Sequence, residues 1–243
     1  MDSLQLMKLQ VPTLFVCNSD GRLRYIREPG FEESELDSAP RFFMGRTVMG
    51  TIWHTHESLP DALVRDLDRL CGSEPVVKNV EDLKNPPKTY EAIRALLDTH
   101  NPTTIEERGP AYWLPGESTF TETEKTVLIT KANVHLVEAH FPWLLTFHAA
   151  FKNGSVAASL EGGVAVALCH CSRFVPQAAE AGINTAERAR GRGHATNAVA
   201  LWAAAVRHSG RLALYSTSWD NLASQGVARK SNAILYGEDW SVM

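Results

Sequence analysis

The chain has 243 residues and a mass of 26.8 kDa, enough for one large domain or two modest ones. Hydrophobic residues make up 44% of it and charged residues 21%, which excludes an intrinsically disordered chain, collagen, a disulfide-stabilised miniprotein and a coiled coil. With 24 Lys and Arg against 28 Asp and Glu, the formal net charge is -4, so bulk attraction to nucleic acid or to an anionic membrane is not expected.

The beginning of the chain does not have the pattern of a signal peptide. Asp2 and Lys8 interrupt Met1–Gln10, and no apolar run approaches the roughly 18 residues that a membrane span needs. We therefore expect a cytoplasmic protein that contacts neither membrane nor nucleic acid. The cysteines are too few for a disulfide framework, and we expect them to be reduced: Cys17, Cys71, Cys169 and Cys171.

The first half contains a predicted hairpin and two predicted helices. Two strands, Val11–Cys17 and Leu23–Ile26, flank an Asp-Gly turn. Leucines at helical spacing from Leu59 to Leu70 predict an amphipathic helix with Pro60 near its first turn. A further helix is predicted from Tyr90 to Leu97, before Asn101 and Pro102.

In the second half, strands and helices alternate. The strands are predicted at Thr126–Ile129, Ser155–Leu160, Val164–Cys171, Glu180–Thr185, Leu212–Ser216 and Ile234–Tyr236. The helices are predicted at Lys131–His140, with Thr130 as its N-cap, and at Thr196–His208 and Asn221–Lys230. This order indicates an α/β fold.

A glycine-rich loop joins the strand Glu180–Thr185 to the apolar helix that follows. Its sequence is Arg188-Ala189-Arg190-Gly191-Arg192-Gly193-His194-Ala195. Glycines let a phosphate approach the backbone, and a helix start offers free N–H groups and a positive dipole end. The loop therefore predicts a phosphate or diphosphate site.

Three other interpretations of this loop fit less well. A Walker loop is absent, since no Gly-Lys-Ser or Gly-Lys-Thr occurs. The dinucleotide fingerprint is incomplete, because Gly191 and Gly193 match its first two glycines but Thr196 stands in place of the third. RNA binding by Arg-Gly repeats is disfavoured, because the element occurs once and leads into an apolar helix.

The pattern Arg190-x-x-Gly193-x-Ala195 resembles motif A of the GNAT superfamily of N-acetyltransferases, which wraps the pyrophosphate of coenzyme A. The resemblance continues in order over about residues 118–243: Ala179–Thr185 resembles the family's splayed strand, and Leu214–Lys230 its next strand and helix. It implies an α/β (α+β) fold, with a mixed, mostly antiparallel sheet flanked by helices. It also implies acetyl-CoA as co-substrate and transfer to a primary amine of a small molecule or peptide.

The resemblance also implies the site residues. Those that would bind coenzyme A are Ile183, Asn184, Thr185, Arg190, Gly191, Arg192, Gly193, His194, Ala195, Asn221 and Ser224. Glu180 is the candidate base, because burial would raise its pKa towards neutrality; the alternative is that it pairs with an arginine such as Arg173. Asn221 could equally be an N-cap.

The chain departs from the family pattern at three places. Ala189 stands where many members have Tyr, and Ser231–Ala233 replaces Leu-Gly-Phe. Ala228 stands where other branches place a general-acid tyrosine, which leaves Tyr215 as the candidate proton donor, with Tyr236 as a substitute. The alternative to an enzyme is therefore a non-catalytic acyl-CoA-binding sensor.

We divide the chain into an N-terminal α/β module, residues 1–117, and a catalytic domain, residues 118–243. The first module has no motif with a known chemistry and is expected to supply a wall of the acceptor pocket. Metal binding is not expected, because neighbouring residues in Cys169-His170-Cys171 point to opposite faces of a strand. A homodimer is left open.

Overall fold

The computed structural model describes residues 1–116, 122–146 and 155–243. Its α-helices are α1 (Ser3–Leu14), α2 (Asp61–Gly72), α3 (Tyr90–Asp98), α4 (His194–His208) and α5 (Leu222–Lys230). Its strands are β1 (Phe15–Cys17), β2 (Leu23–Ile26), β3 (Phe42–Thr47), β4 (Gly50–Thr55), β5 (Glu106–Trp113), β6 (Thr126–Leu128), β7 (Val156–Glu161), β8 (Val164–Phe174), β9 (Ala178–Thr185), β10 (Leu212–Ser216) and β11 (Ile234–Val242).

Within the described residues, nine strands form one sheet in the order β4-β3-β11-β5-β10-β9-β8-β7-β6, and β1 pairs with β2. The β9–β10 pair is parallel, and the other neighbours in the large sheet are antiparallel. This is the mixed, mostly antiparallel sheet flanked by helices that the resemblance implies. No helix in the described part of the chain is long and apolar enough to cross a membrane.

Strands from both sides of residue 117 share this sheet. Strand β5 lies between β11 and β10, bonded to both, so the N-terminal module is joined to the rest by backbone hydrogen bonds. The division at residue 117 stays a prediction. The described structure shows an uninterrupted sheet here, because β5 supplies the strand that fills the space between β10 and β11.

Helix α4 packs against β7 and β8 and is apolar on most sides, as its sequence predicts. Trp202 is fully buried within the cluster that α4 forms with the sheet. Gly210, at a φ of 82°, follows the helix and turns the chain into β10. Helix α1 packs against β3, β9 and β11, and Met7 and Val11 are buried on that side.

Two predicted elements are wrong, one a strand and the other a helix. Residues 11–14 belong to α1 rather than to a strand, because Asp2 and Gln5 form a capping box and the buried side chains fall at helical spacing. Residues 131–140 form turns around a short 3-10 helix, Val134–Val137, instead of an α-helix. There the Asn133 side chain accepts from the Thr130 backbone and donates to the Leu128 carbonyl, bonds that compete with a regular helix.

The remaining predicted elements are confirmed, and all but β11 have only small shifts of their ends. The hairpin of β7 and β8 turns through Gly162 and Gly163, both at positive φ. Strand β11 is six residues longer than predicted, running to Val242, since its second part pairs with β3 on one side and β5 on the other. This extension carries Asp239.

Candidate active site

Strands β9 and β10 separate in the middle of the sheet. They pair at Leu212↔Ala178, Ala213↔Ala179 and Leu214↔Glu180, and the pairing ends there. Beyond that point β10 stays with β5, where Tyr215 faces Tyr112, while β9 stays with β8 as far as Thr185. A gap therefore opens next to Glu180, as expected for a splayed strand.

A groove of about 570 Å³ lies on one side of this gap. We call it the glycine-loop groove; it is lined by Ile183, Thr185, Ala189, Arg190, Gly191, Gly193, His194, Ala195, Thr196, Tyr215, Asn221, Leu222, Ala223, Ser224, Gly226, Val227, Arg229 and Lys230. All the predicted coenzyme A residues except Asn184 and Arg192 are in this lining. Their roles stay predictions, but the fold brings them to one surface.

The two glycines of the loop leave open space beside the backbone. Gly191 has a φ of 74° and Gly193 a φ of 88°, and a Cβ placed on either would meet no atom within 4 Å. Gly193 is the N-cap of α4, and no side chain caps the helix start. The amides of the first turn, at His194, Ala195 and Thr196, are therefore available to an anion in the groove.

The groove is basic despite the negative net charge of the chain. Arg190, Arg229 and Lys230 line it, and no carboxylate is among the described residues of its lining. Arg229 and Lys230 fall in the stretch Leu214–Lys230 that resembles the family pattern, and the sequence did not predict either as a ligand. The available signal was their position in the last turn of α5, which lines the same groove as the glycine loop.

Asn184 and Arg192 do not line the groove. Asn184 is exposed and faces Leu168 across the β8–β9 pair. The Arg192 guanidinium forms an ion pair with Glu161 at 2.9 Å, on the β7–β8 turn. His194 is shared between the two regions, since its Nδ1 lies 2.9 Å from Ser159 Oγ while the residue also lines the groove.

Tyr215, Ser224 and Asn221 are connected to one another. The Tyr215 hydroxyl lies 2.6 Å from Ser224 Oγ and donates to the Ser224 carbonyl at 3.1 Å. The Asn221 side chain accepts from the Ser224 backbone N–H at 3.0 Å, so it is the N-cap of α5 as well as a groove residue. Burial raises the pKa of Tyr215 to about 12, so its hydroxyl keeps its proton at neutral pH.

A second cavity, of about 300 Å³, lies near the gap and is called here the α1 cavity. The first half of the chain supplies part of its lining: Leu14, Phe15, Ile26, Pro40, Phe43, Glu107, Arg108 and Gly109. The second half supplies Arg173, Ser216, Thr217, Ser218, Asp239, Ser241 and Met243. Gly109 lets the loop after β10 approach, since a Cβ there would lie 1.6 Å from the Thr217 carbonyl oxygen.

Ser216 connects the α1 cavity to Glu180. Its hydroxyl donates to Glu180 Oε1 at 2.8 Å, and the adjacent Tyr215 lines the glycine-loop groove. Successive residues of a strand point to opposite faces, so the two spaces lie on opposite sides of β10. Glu180 itself is 3% exposed and sits beside the gap between them.

Burial raises the pKa of Glu180 to about 7, while the hydroxyl and backbone of Ser216 and the charge of Arg173 act in the opposite direction. Arg173 faces Glu180 across the β8–β9 pair. Glu180 Oε2 and Arg173 Nε are both buried, and neither has a hydrogen-bond partner among the described residues. The alternative in which Arg173 pairs directly with Glu180 is therefore not what the structure shows.

Asp239 is a site residue that sequence analysis missed. It lines the α1 cavity, and its Oδ2 accepts from Gln10 Nε2 at 2.6 Å, while Gln10 Oε1 accepts from the Tyr236 hydroxyl. Burial, together with the nearby Glu180 charge, raises the pKa of Asp239 to about 8. The alternation of Asp239 and Ser241 with the buried Trp240 and Val242 was the available signal for a longer strand.

Three further candidates from the sequence are a metal-binding cluster, His170 and Tyr236. Within residues 1–116, 122–146 and 155–243, no three His, Cys, Asp or Glu side chains are grouped to hold a metal ion. Burial lowers the pKa of His170 to about 4. The Tyr236 hydroxyl donates to Gln10, and Tyr236 is not among the described lining residues of either space. It is therefore not placed to donate a proton to a leaving group in the groove.

Comparisons with known proteins identify the fold. No protein-family model and no curated protein matches the chain. A GCN5-related N-acetyltransferase-like protein from Streptococcus suis is 13% identical, with a TM-score of 0.50 over 99% of this chain and 98% of that one.

Two further solved structures are similar to this chain with lower scores. A GNAT-family acetyltransferase from Colwellia psychrerythraea gives 13% identity and a TM-score of 0.47 over 99% of this chain and 95% of that one. A putative GNAT-family acetyltransferase from Novosphingobium aromaticivorans gives 14% identity and a TM-score of 0.45 over 58% of this chain and 65% of that one. From the Streptococcus suis match over nearly the whole length of both chains, we conclude that this chain has the fold of the GCN5-related N-acetyltransferases.

Proposed function

We propose that the protein is an N-acetyltransferase that moves an acetyl group from acetyl-CoA to a primary amine. The observation that carries the proposal is the gap between β9 and β10, with a basic glycine-lined groove on one side and a cavity beside a buried carboxyl group on the other. The groove has the basic groups that acetyl-CoA needs, and the cavity lies beside the carboxyl group that the amine needs. The fold similarity supports the same activity.

The residues of the glycine-loop groove fit coenzyme A. The open space at Gly191 and Gly193 would admit phosphates, and the first-turn amides of α4 would donate to them. Arg190, Arg229 and Lys230 would neutralise their charge. When bound, acetyl-CoA supplies the acetyl group as a thioester.

Glu180 is proposed to take a proton from the amine. An alkylammonium with a pKa of about 10.4 is almost wholly protonated at neutral pH, so an acceptor near pKa 7 is needed before or during attack. The amine nitrogen then bonds to the acyl carbon as the carbon–sulfur bond breaks. The nitrogen loses two protons overall: Glu180 takes the first, directly or through water, to free the amine, and the second leaves for solvent after attack, while the sulfur leaves as thiolate.

Tyr215 is proposed to protonate the leaving thiolate. Its hydroxyl is protonated at neutral pH and lines the groove that would hold the co-substrate. Backbone N–H groups of Ile183 to Thr185, on the strand edge freed by the gap, are proposed to bind the amide groups of the co-substrate and to polarise the thioester carbonyl.

One observation favours a second candidate, a non-catalytic acyl-CoA sensor. Ala228 occupies the position of the usual acid, and the Tyr215 hydroxyl already bonds to Ser224. A sensor would need the groove but not the buried carboxyl group. Measuring ligand binding and thiol release separately distinguishes these two functions.

Thermal unfolding with acetyl-CoA, CoA and NADH tests the proposal. Acetyl-CoA at a hundred times its Kd is expected to add about 2.7 kcal/mol of stability, which for a chain of this length raises Tm by about 5 to 10 °C. Thiol release should then depend on an added amine. Stabilisation by NADH and not by CoA would contradict the proposal, and CoA binding without thiol release over a broad amine panel would favour the sensor.

A pair of arginine variants tests the groove itself. Arg229→Gln is expected to weaken CoA binding about tenfold, the value of one lost charge-assisted hydrogen bond, with the loss shrinking at high salt. Arg192→Gln is the matched control and should change the Kd less than about twofold, because Arg192 pairs with Glu161. Calorimetric titration measures both, and a larger loss in Arg192→Gln would restore the original prediction for that residue.

A further inference from the structure

Two buried polar atoms with opposite hydrogen-bonding needs lie next to the α1 cavity, one on Arg173, which lines it, and one on Glu180, which accepts from the lining residue Ser216. Glu180 Oε2, beside the cavity, is an acceptor without a donor, and Arg173 Nε, in its wall, is a donor without an acceptor among the described residues. Leaving a buried polar atom unpaired costs free energy, so such atoms next to a cavity favour a ligand with complementary groups. A carboxylate oxygen calls for an N–H donor, and a guanidinium N–H calls for an anionic oxygen.

The register of the sheet keeps these two groups together. Arg173 on β8 and Glu180 on β9 are direct partners across the antiparallel pair, so their side chains leave the same face of the sheet. They do not bond to each other. A ligand that satisfies both must therefore carry a donor and an anionic acceptor close together.

The other arginine of the cavity is already occupied. Arg108 Nε donates to Glu238 at 2.6 Å and its Nη2 donates to the Lys84 carbonyl at 2.7 Å, and Glu238 is fully buried and shared with Arg46. Glu107 adds negative charge to the wall, which suits an ammonium group, whereas Asp239 is mostly protonated at neutral pH because burial raises its pKa to about 8. Arg173 is thus the one described cation of this lining that is left to hold an anion.

The rest of the cavity limits the size and character of the ligand. Its volume of about 300 Å³ is at the lower end of the range for small-molecule sites, about 300 to 1,000 Å³. Leu14, Phe15, Ile26 and Phe43 form an apolar part of the wall. A compact molecule with an apolar side chain would fill this space.

We propose that the acceptor is a free amino acid with an apolar side chain, whose carboxylate binds Arg173 and whose amine lies at Glu180. This rests on the proposed acetyl transfer and narrows its acceptor. A peptide N-terminus has no carboxylate on the same carbon as its amine, so it would leave the Arg173 guanidinium unpaired in the cavity. Arg173 is thereby the residue that selects small amino acids over peptides.

The test compares acceptors that share a side chain and a primary amine. Leucine carries the carboxylate, leucinamide mimics a peptide N-terminus, and 3-methylbutylamine lacks the carboxyl group; phenylalanine, its amide and phenethylamine form a second set. Wild-type protein should acetylate the amino acids with a kcat/KM about tenfold or more above that for the amides. The less basic amine of the amides acts against this preference, so reactivity alone does not produce it.

Arg173→Gln should abolish the preference, mainly by raising KM for the amino acids. The ratio of kcat/KM between amino acid and amide is the readout, because any effect of the lost charge on Glu180 acts on both acceptors and cancels. Arg65→Gln, at an exposed arginine of α2, is the control and should keep the wild-type ratio. A wild-type preference for the amides or simple amines, or an unchanged ratio in Arg173→Gln, overturns the inference.

Binding gives a second readout that does not need turnover. Calorimetric titration of CoA-loaded protein with leucine and phenylalanine should show binding to wild type and a loss of about tenfold or more in Arg173→Gln. If no amine releases thiol but the amino acids bind through Arg173, acetyl transfer fails and the inferred ligand class stands. If simple amines are acetylated and neither amino acid binds or reacts, acetyl transfer stands and the inference fails.

Discussion

Glu180→Gln is expected to lower kcat by about 10²- to 10⁴-fold, the usual contribution of a positioned general base. The substitution preserves shape, and the amide oxygen can still accept from the Ser216 hydroxyl. CoA affinity should not change, because Glu180 lies outside the described lining of the glycine-loop groove. Steady-state thiol release and calorimetry measure the two quantities, with Glu91→Gln, at an exposed carboxylate of α3, as control.

The pH dependence of the rate is a second test of Glu180 as the base. The base must be deprotonated, so the wild-type rate should rise with pH through about 7, where Glu180 titrates, and level off above it. The residual rate of Glu180→Gln should lack that step. A variant that keeps the step near pH 7 assigns it to another group, for which Asp239, with its pKa raised to about 8, is the next candidate.

The free energy of unfolding should also change with pH as Glu180 titrates. The folded-state pKa of Glu180 is raised above its ordinary value of 4.5, so the folded state binds the proton more tightly than the unfolded state. The contribution of Glu180 to the free energy of unfolding is therefore greatest below pH 4.5 and is lost as pH rises to about 7. Urea unfolding should show this fall to be smaller in Glu180→Gln, and equal slopes in the two proteins would mean that Glu180 is not held in the buried state described.

Gly193→Val is expected to weaken CoA binding about tenfold or more. The valine side chain would enter the open space beside the loop, and its strain at a φ of 88° would displace the first-turn amides of α4. Amides at a helix start contribute about 0.3 to 2 kcal/mol each to holding an anion, so losing two accounts for an effect of this size. The Kd for CoA is measured by calorimetry.

Gly210→Val separates strain from ligand binding. Gly210 has a φ of 82° and open space around it, but it lies at the far end of α4 from the groove. Both variants should lose about 1 to 2 kcal/mol or more of stability for a left-handed residue with a Cβ, and Gly210→Val should keep wild-type CoA affinity. An unchanged Kd in Gly193→Val, in a folded protein, would remove the glycine loop from the proposed site.

Local sequence patterns determined much of the second half. The turn glycines, the apolar alternation of β8 and the uninterrupted helical run of α4 each act within a few residues, which is why their positions could be predicted. The same holds for the glycine loop, because the positive φ of Gly191 and Gly193 is a local property of the backbone. Where side-chain bonds compete with the local pattern, as at Asn133, the prediction of a helix was wrong.

The sequence by itself determined most strands and helices of the second half and the position of the glycine loop, because both depend on short-range periodicity and backbone conformation. The mostly antiparallel sheet followed only from the family resemblance. Only the tertiary structure decided which distant residues share a space. It placed β5 between β10 and β11, brought Asp239 and Arg173 into the cavity next to Glu180, and turned Arg192 away to Glu161. The physical reason is that burial and charge pairing depend on neighbours that are distant in the chain, 31 residues for Glu161 and Arg192 and 229 for Gln10 and Asp239, which no local pattern records.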